Sequence, residues 1–171
     1  LPQLKKKFND ELGSVSAAEI ATMEQELIDS GELTAEQITK LCDIHVDIFR
    51  DSIVTNENPK IIPGHPLHTY AAENEKAKEL IRKIRADFNP MDLIQLKEII
   101  THYTRLENQL FPMLENVGFS GPSQVMWAKH DEIRDLFNKA DKTKIEELLD
   151  SVADMIFKEE NILFPAALEK L

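Results

Sequence analysis

Glycine, cysteine and aromatic side chains are scarce in this sequence. Five of its 171 residues are glycine and 6% are aromatic, and the Val-, Ile- and Thr-rich runs that fill strands are missing. Hydrophobic residues make up 42% of the chain, enough for a core, and charged residues make up 30%, mostly at helical spacing. An all-α fold is expected. The single cysteine, Cys42, excludes an internal disulfide and suits a reducing cytoplasm, the expected location. It lies among Leu41, Ile44 and Ile48 and reads as buried and inert. No apolar stretch approaches the ~20 residues that span a bilayer, so no membrane partner is expected. Basic residues are the minority, 20 Lys and Arg against 31 Asp and Glu, for a net charge of −11. The one basic run, Lys5 to Lys7, is short, and such a chain repels nucleic acid. No signal peptide is visible, and a start at Leu1 rather than Met reads as a fragment or a processed form. There is no Gly-rich phosphate loop, no nucleophile elbow, and no cysteine at a diagnostic spacing from a histidine. Nothing points to an enzyme working with protein groups alone.

What is present is helical punctuation. The first third reads as three short helices. The first covers about 3–12 and stops at Gly13. The second runs from a capping box at Ser16-Ala17-Ala18-Glu19 to Ser30-Gly31, and the third from a second box at Thr34-Ala35-Glu36-Gln37 to about Val54. Asn56-Glu57-Asn58-Pro59 and Pro63-Gly64 then mark a loop, which divides a unit at 1–55 from one at 56–171. Four longer helices follow. They run from Pro66 to about Asp87, from Asn89-Pro90 to about Glu115, from about Ser123 to Lys139, and from about Lys142 to the end. Short loops between helices of this length predict an up-down-up-down four-helix bundle.

Two segments of that bundle end alike, in Glu107-Asn108-Gln109-Leu110-Phe111-Pro112 and Glu160-Asn161-Ile162-Leu163-Phe164-Pro165. Each proline is expected near a helix end, where a lost backbone donor costs least. The duplication suggests two half-sites facing one interior. His65 and His68 stand at the start of the first long helix, His102 in the second and His130 in the third, while the fourth offers Glu159 and Glu160. Bundles build metal sites from His and carboxylates in this manner, and the mixture suits iron, zinc or manganese. His102 and Glu107 are five apart, some 140° beyond a full turn, so Glu107 reaches an ion shared with His102 less naturally than a residue at i+4.

These residues resemble the hemerythrin-type HHE cation-binding domain, whose hallmark is His-x-x-x-Glu-Glu-x-x-Leu-Phe-Pro near the end of two helices. His102 to Pro112 and Met155 to Pro165 carry the match, and Trp127-Ala128-Lys129-His130 resembles the family's third-helix segment. The resemblance covers about residues 60–171. Residues 1–54 resemble an uncharacterised bacterial helical domain (domain of unknown function 438) through Glu19 to Leu27 and Leu41 to His45. That domain often precedes an HHE domain with a PAS sensor domain following, which implies a PAS-type partner in the full-length chain. The departures are specific: Leu106 stands where the first motif has Glu, Met155 where the second has His, and Glu73-Asn74 where the first helix has Glu-His.

The resemblance implies metal ligands among His102, Glu107, His130, Glu159 and Glu160, holding mono- or dinuclear non-haem iron. His68 and His65, though neither aligns with Asn74, are the candidates to compensate for the replaced ligands. It implies a sensory or regulatory module responding to oxygen or another small gas, to redox state or to iron. With the usual ligand set reduced, a haem site is the alternative, with His45, Tyr70 and Met155 as cofactor-binding candidates. A scaffold without metal, a homodimer and a non-haem iron enzyme remain open.

Overall fold

The computed structural model describes residues 17–34, 37, 63–139 and 144–171, and every regular element among them is helical. The helices expected over 3–12 and over most of 34–54 lie outside the described residues, as do Cys42 and His45. Helix α1 covers Ala17–Asp29. It closes at Gly31, whose φ of +75° is open to glycine without steric cost. The second capping box forms as expected: the Thr34 N–H donates to Gln37 Oε1 at 2.9 Å and the Gln37 N–H to Thr34 Oγ1 at 3.3 Å.

Helix α2, Pro66–Ala86, starts on its proline, and the His65 ring caps it by accepting the Leu67 N–H at 3.2 Å. Leu67, Tyr70, Asn74, Ala77, Ile81 and Ile84 form its buried face. The second long helix is not the single element expected over 89–115. It is α3 (Pro90–Leu96), α4 (Ile99–Arg105), a five-residue π turn at Leu106–Leu110 and α5 (Phe111–Asn116). At Lys97 and Glu98 the ladder tightens to bonds such as Glu98 N–H to Gln95 and Ile100 N–H to Lys97, a 3₁₀-like joint. The rod closes at Gly118 (φ +80°), where the Phe119 N–H returns to the Leu114 carbonyl at 2.9 Å and the Gly118 N–H to that of Glu115 at 2.9 Å. Helix α6 follows over Gly121–Lys139, slightly earlier than Ser123. The last rod is α7 (Ile145–Lys158), a second π turn at Glu159–Leu163, and α8 (Phe164–Lys170).

The two π turns occupy corresponding places in the two Leu-Phe-Pro motifs. Proline lacks an N–H and its ring crowds the carbonyl four residues back. A wide turn just before it shifts the ladder, with the Phe111 N–H donating to Leu106 and the Phe164 N–H to Glu159. Pro112 and Pro165 then stand in the first turn of α5 and α8, so each rod continues beyond its proline. Two asparagines repeat the same support, Asn108 Nδ2 to the Thr104 carbonyl at 2.7 Å and Asn161 Nδ2 to that of Phe157 at 2.8 Å.

Helix α2 packs on α3, α4 and α7, and α6 packs on α4, α5 and α7, giving a helical bundle around one core. Leu67, Leu96, Phe111, Leu114, Leu148, Leu149 and Phe164 are wholly buried or nearly so, each stabilising the fold by about 1.5–3 kcal/mol. Helix α1 lies against α6 and the second π turn, where Gln25 Oε1 accepts from the backbone N–H and the hydroxyl of Ser120, each at 3.2 Å.

Candidate functional site

The polar residues Asn74, His102, Glu107, His130 and Glu159 are buried inside this apolar bundle. Burying them unpaired would be prohibitive, and most of their atoms are matched. His102 lies between two carboxylates, with Nδ1 2.8 Å from Glu73 Oε2 and Nε2 3.0 Å from Glu159 Oε2. Burial pushes the His102 pKa down, but Glu159 and Glu73 outweigh it and hold it above its ordinary value. Glu159 Oε2 also accepts from Asn74 Nδ2 at 2.7 Å, and Glu73 is paired with Arg105 nearer the surface.

A second network starts from Glu107. One of its oxygens lies 2.8 Å from His130 Nδ1, and the Arg134 guanidinium donates to both, at 2.8 and 2.7 Å. Burial raises the Glu107 pKa, yet His130 and Arg134 hold it below the usual carboxylate range. An ionised carboxylate only accepts, so His130 Nδ1 carries a proton, and in the neutral ring Nε2 is the lone-pair nitrogen. Tyr103 joins the two networks. Its ring stacks on His130 at 4.1 Å between centroids and meets His102 edge-on at 5.7 Å. Burial raises the Tyr103 pKa well above its ordinary value, with the Glu159 charge adding to it.

Among the described residues, the buried polar side-chain atoms without a partner are Asn74 Oδ1, Tyr103 Oη, Arg105 Nε, His130 Nε2 and Glu159 Oε1. Each such atom costs about 1–3 kcal/mol unless something satisfies it. Four of the five accept hydrogen bonds or bind metals, an imidazole nitrogen (His130 Nε2) and a carboxylate oxygen (Glu159 Oε1) among them. The donor chemistry of these atoms therefore suits a metal ion. Among the described residues no three His, Cys, Asp or Glu side chains close on a common point. Both His102 nitrogens face carboxylates, and both Glu107 oxygens accept from Arg134.

The residues expected from the sequence fall into groups. His102, Glu107, His130 and Glu159 come together in the interior, but His102 and Glu107 have separate partners. Glu160 turns the other way and pairs with Lys78 at 2.7 Å, with burial raising its pKa against the pull of Lys78. The His65 ring is committed to its cap, and His68 is half-buried in the first turn of α2. Tyr70 donates to Gln109 Oε1 at 3.0 Å and lies edge-on to His102, and Met155 is buried core. Glu73 and Arg134 were not anticipated as members of the site. Arg134 had a legible signal, since it stands one turn beyond His130 and shares its face. Glu73 had one only in its match to the family's Glu-His position. A cleft of about 200 Å³ lined by Glu73, Leu80, Gln95, Ile99, His102 and Arg105 leads to this side of the interior.

Residues 65–167 match the family described as "Hemerythrin HHE cation binding domain", over half of the chain. Residues 1–55 match a "Family of unknown function (DUF438)". No curated protein and no solved structure shows a match. The family describes cation binding and lends nothing to the haem alternative. No helix among the described residues is long and apolar enough to cross a membrane.

Proposed function

We propose, for a chain that belongs to the hemerythrin HHE cation-binding domain family, that the bundle holds non-haem iron and serves as a sensory or regulatory module. The observation that carries this is that His130 Nε2 and Glu159 Oε1, two buried atoms of metal-binding type, each lack a protein partner. Glu107 and Arg134 hold the His130 ring, and His102 and Asn74 hold the Glu159 carboxylate, the kind of outer support that orients metal ligands. Bound iron would supply a redox-active or oxygen-binding centre. The up-down-up-down order of four rods belongs to the same reading, and the packing of α2 and α6 each on neighbours from two other rods supports it.

The signal, in this reading, is oxygen, redox state or iron itself, and the cleft beside Glu73 and His102 admits a small molecule. Transmission runs toward the N-terminal unit at residues 1–55 and a PAS-type domain of the full-length protein. Support comes from α1, which touches the π turn that carries Glu159. Elemental analysis of purified protein tests the core of the proposal. Metal near one equivalent is expected, with loss on His130→Ala or Glu159→Ala. Native protein that holds none, and takes up none from Fe(II), Zn(II) or Mn(II), ends the reading. Hydrogen exchange in α1 with and without iron tests the transmission, and an unchanged pattern removes the sensory role.

A further inference from the structure

Helix α1 is anchored to the bundle by a polar side chain. Of the α1 side chains that the structure describes, Gln25 is the buried one. Its Nε2 donates within the helix to Asp29 Oδ1 at 2.8 Å, which leaves Oε1 for the bundle. There Oε1 accepts from the Ser120 N–H and hydroxyl, each at 3.2 Å, at the start of α6. The fit is close at Gly121, where an added Cβ would stand 3.0 Å from Gln25 Oε1. Gly121 has no positive φ, so this glycine serves close approach rather than a turn. We propose that Gln25 is a latch that seats α1 across the two elements carrying His130 and Glu159, so that α1 docking and cation binding strengthen one another. This rests on the metal-binding reading above and names a regulation of the same site.

Helix α1 packs on α6, which carries His130, and on the π turn Glu159–Leu163. That turn is the irregular link in its rod, and its backbone sets where the Glu159 carboxylate stands. Asn74 and His102 hold the carboxylate, and Lys78 holds Glu160 beside it. Packing of α1 adds a further restraint on the turn. With α1 docked, the turn has less freedom to lose when a cation binds Glu159, so the cation binds more tightly. A cation on Glu159 in turn fixes the surface on which α1 docks. Linkage makes the two effects equal in size. The polar anchor suits a reversible attachment. A hydrogen bond that is exchanged for one with water contributes little net free energy, so a modest change at the turn shifts the docking equilibrium. Gln25 makes its hydrogen bonds to Asp29 and Ser120 and acts on the site by positioning.

The full 171-residue chain is compared with Gln25→Ala, Gly121→Ala and the double variant. Hydrogen exchange over α1 reads docking, and exchange over α2 reads whether the bundle is intact. Titration of Fe(II), Zn(II) and Mn(II) under argon, against a chromophoric chelator, reads cation affinity. Gln25→Ala should speed exchange in α1 about tenfold while α2 stays protected. Gly121→Ala should do the same when Gln25 is present. It should add nothing to Gln25→Ala in the double variant, because the crowded oxygen is then gone. Both single variants should weaken cation affinity about fivefold, and bound cation should slow α1 exchange in the unaltered chain by the same factor. Unchanged α1 exchange in Gln25→Ala, loss of protection in α2, or an equal effect of Gly121→Ala in both backgrounds would overturn the latch. A freed α1 with cation affinity unchanged or raised would overturn the coupling while the metal reading stands. An unaltered chain that takes up none of the three cations overturns that reading, and this inference with it.

Discussion

At the turn Leu106–Leu110 the first residue points into the core as a leucine, and the second, Glu107, is the buried carboxylate. At Glu159–Leu163 the first residue is the buried carboxylate, and the second, Glu160, faces outward to Lys78. The backbones are alike, with the same wide hydrogen bond before the phenylalanine and the same asparagine support. His102 and Met155 stand at matching places on the helices before them, both buried. The difference teaches that the repeated motif builds a repeated backbone and leaves the inward chemistry to single positions. One turn commits its carboxylate to a histidine and an arginine; the other leaves a carboxylate oxygen free for a ligand.

The largest expected contrast is between Glu107 and Glu160. Glu107→Ala leaves the His130 Nδ1–H buried without its acceptor, and Arg134 loses both of its bonds there. Breaking such a buried pair should cost about 3–5 kcal/mol in the metal-free protein. Glu160→Ala removes a partly exposed pair with Lys78 and should stay within about 1 kcal/mol. Urea denaturation of the two variants measures both. Equal losses would mean that the two turns carry equal interior loads, and the comparison would fail.

Much of this was legible before any coordinate. The Pro66 start, the Thr34–Gln37 box, the Gly31 stop and the all-helical class follow from local chemistry, which acts within a turn of the residue concerned. His102, Glu107, Glu159 and Glu160 were readable as candidates because the motif repeats, and His130 because its own segment resembles the family's third helix. The π turns were not readable: a helical pattern counted at 3.6 residues per turn has no place for a widened one, although each proline hinted at a disturbed ladder. Nor did spacing reveal the pairing of His102 with Glu159 rather than Glu107. That choice depends on which rods are neighbours in space. The unpartnered Tyr103 hydroxyl was invisible for a different reason, since a tyrosine on an apolar face reads as packing until its oxygen is found buried.

A somewhat smaller effect separates Leu106 from Glu159. Leu106 is wholly buried, so Leu106→Ala should cost about 2–4 kcal/mol through lost burial and the remaining cavity, with metal content unchanged. Glu159→Ala should remove the metal. Thermal melts with and without added iron read the two together. Iron should raise the melting temperature of Leu106→Ala and leave that of Glu159→Ala where it was. If iron stabilises neither variant, the first turn also belongs to the ligand shell, and the asymmetry argued from the two interiors is wrong.

The smallest expected effect tests the half of the comparison that claims likeness. Asn108 and Asn161 each donate a side-chain amide to the carbonyl four residues back, at 2.7 and 2.8 Å. Neither touches the buried networks. If the two π turns are one backbone device used twice, Asn108→Ala and Asn161→Ala should each cost about 0.5–1.5 kcal/mol. The two losses should be nearly equal and should add in the double variant, because the sites share no partner. Losses that differ several-fold would show that the turns are held by their different interiors. The repeated Leu-Phe-Pro would then mark two unrelated solutions to the same proline. Equal and additive losses would place the asymmetry wholly in the side chains, where Leu106, Glu107, Met155 and Glu159 decide which turn serves the metal.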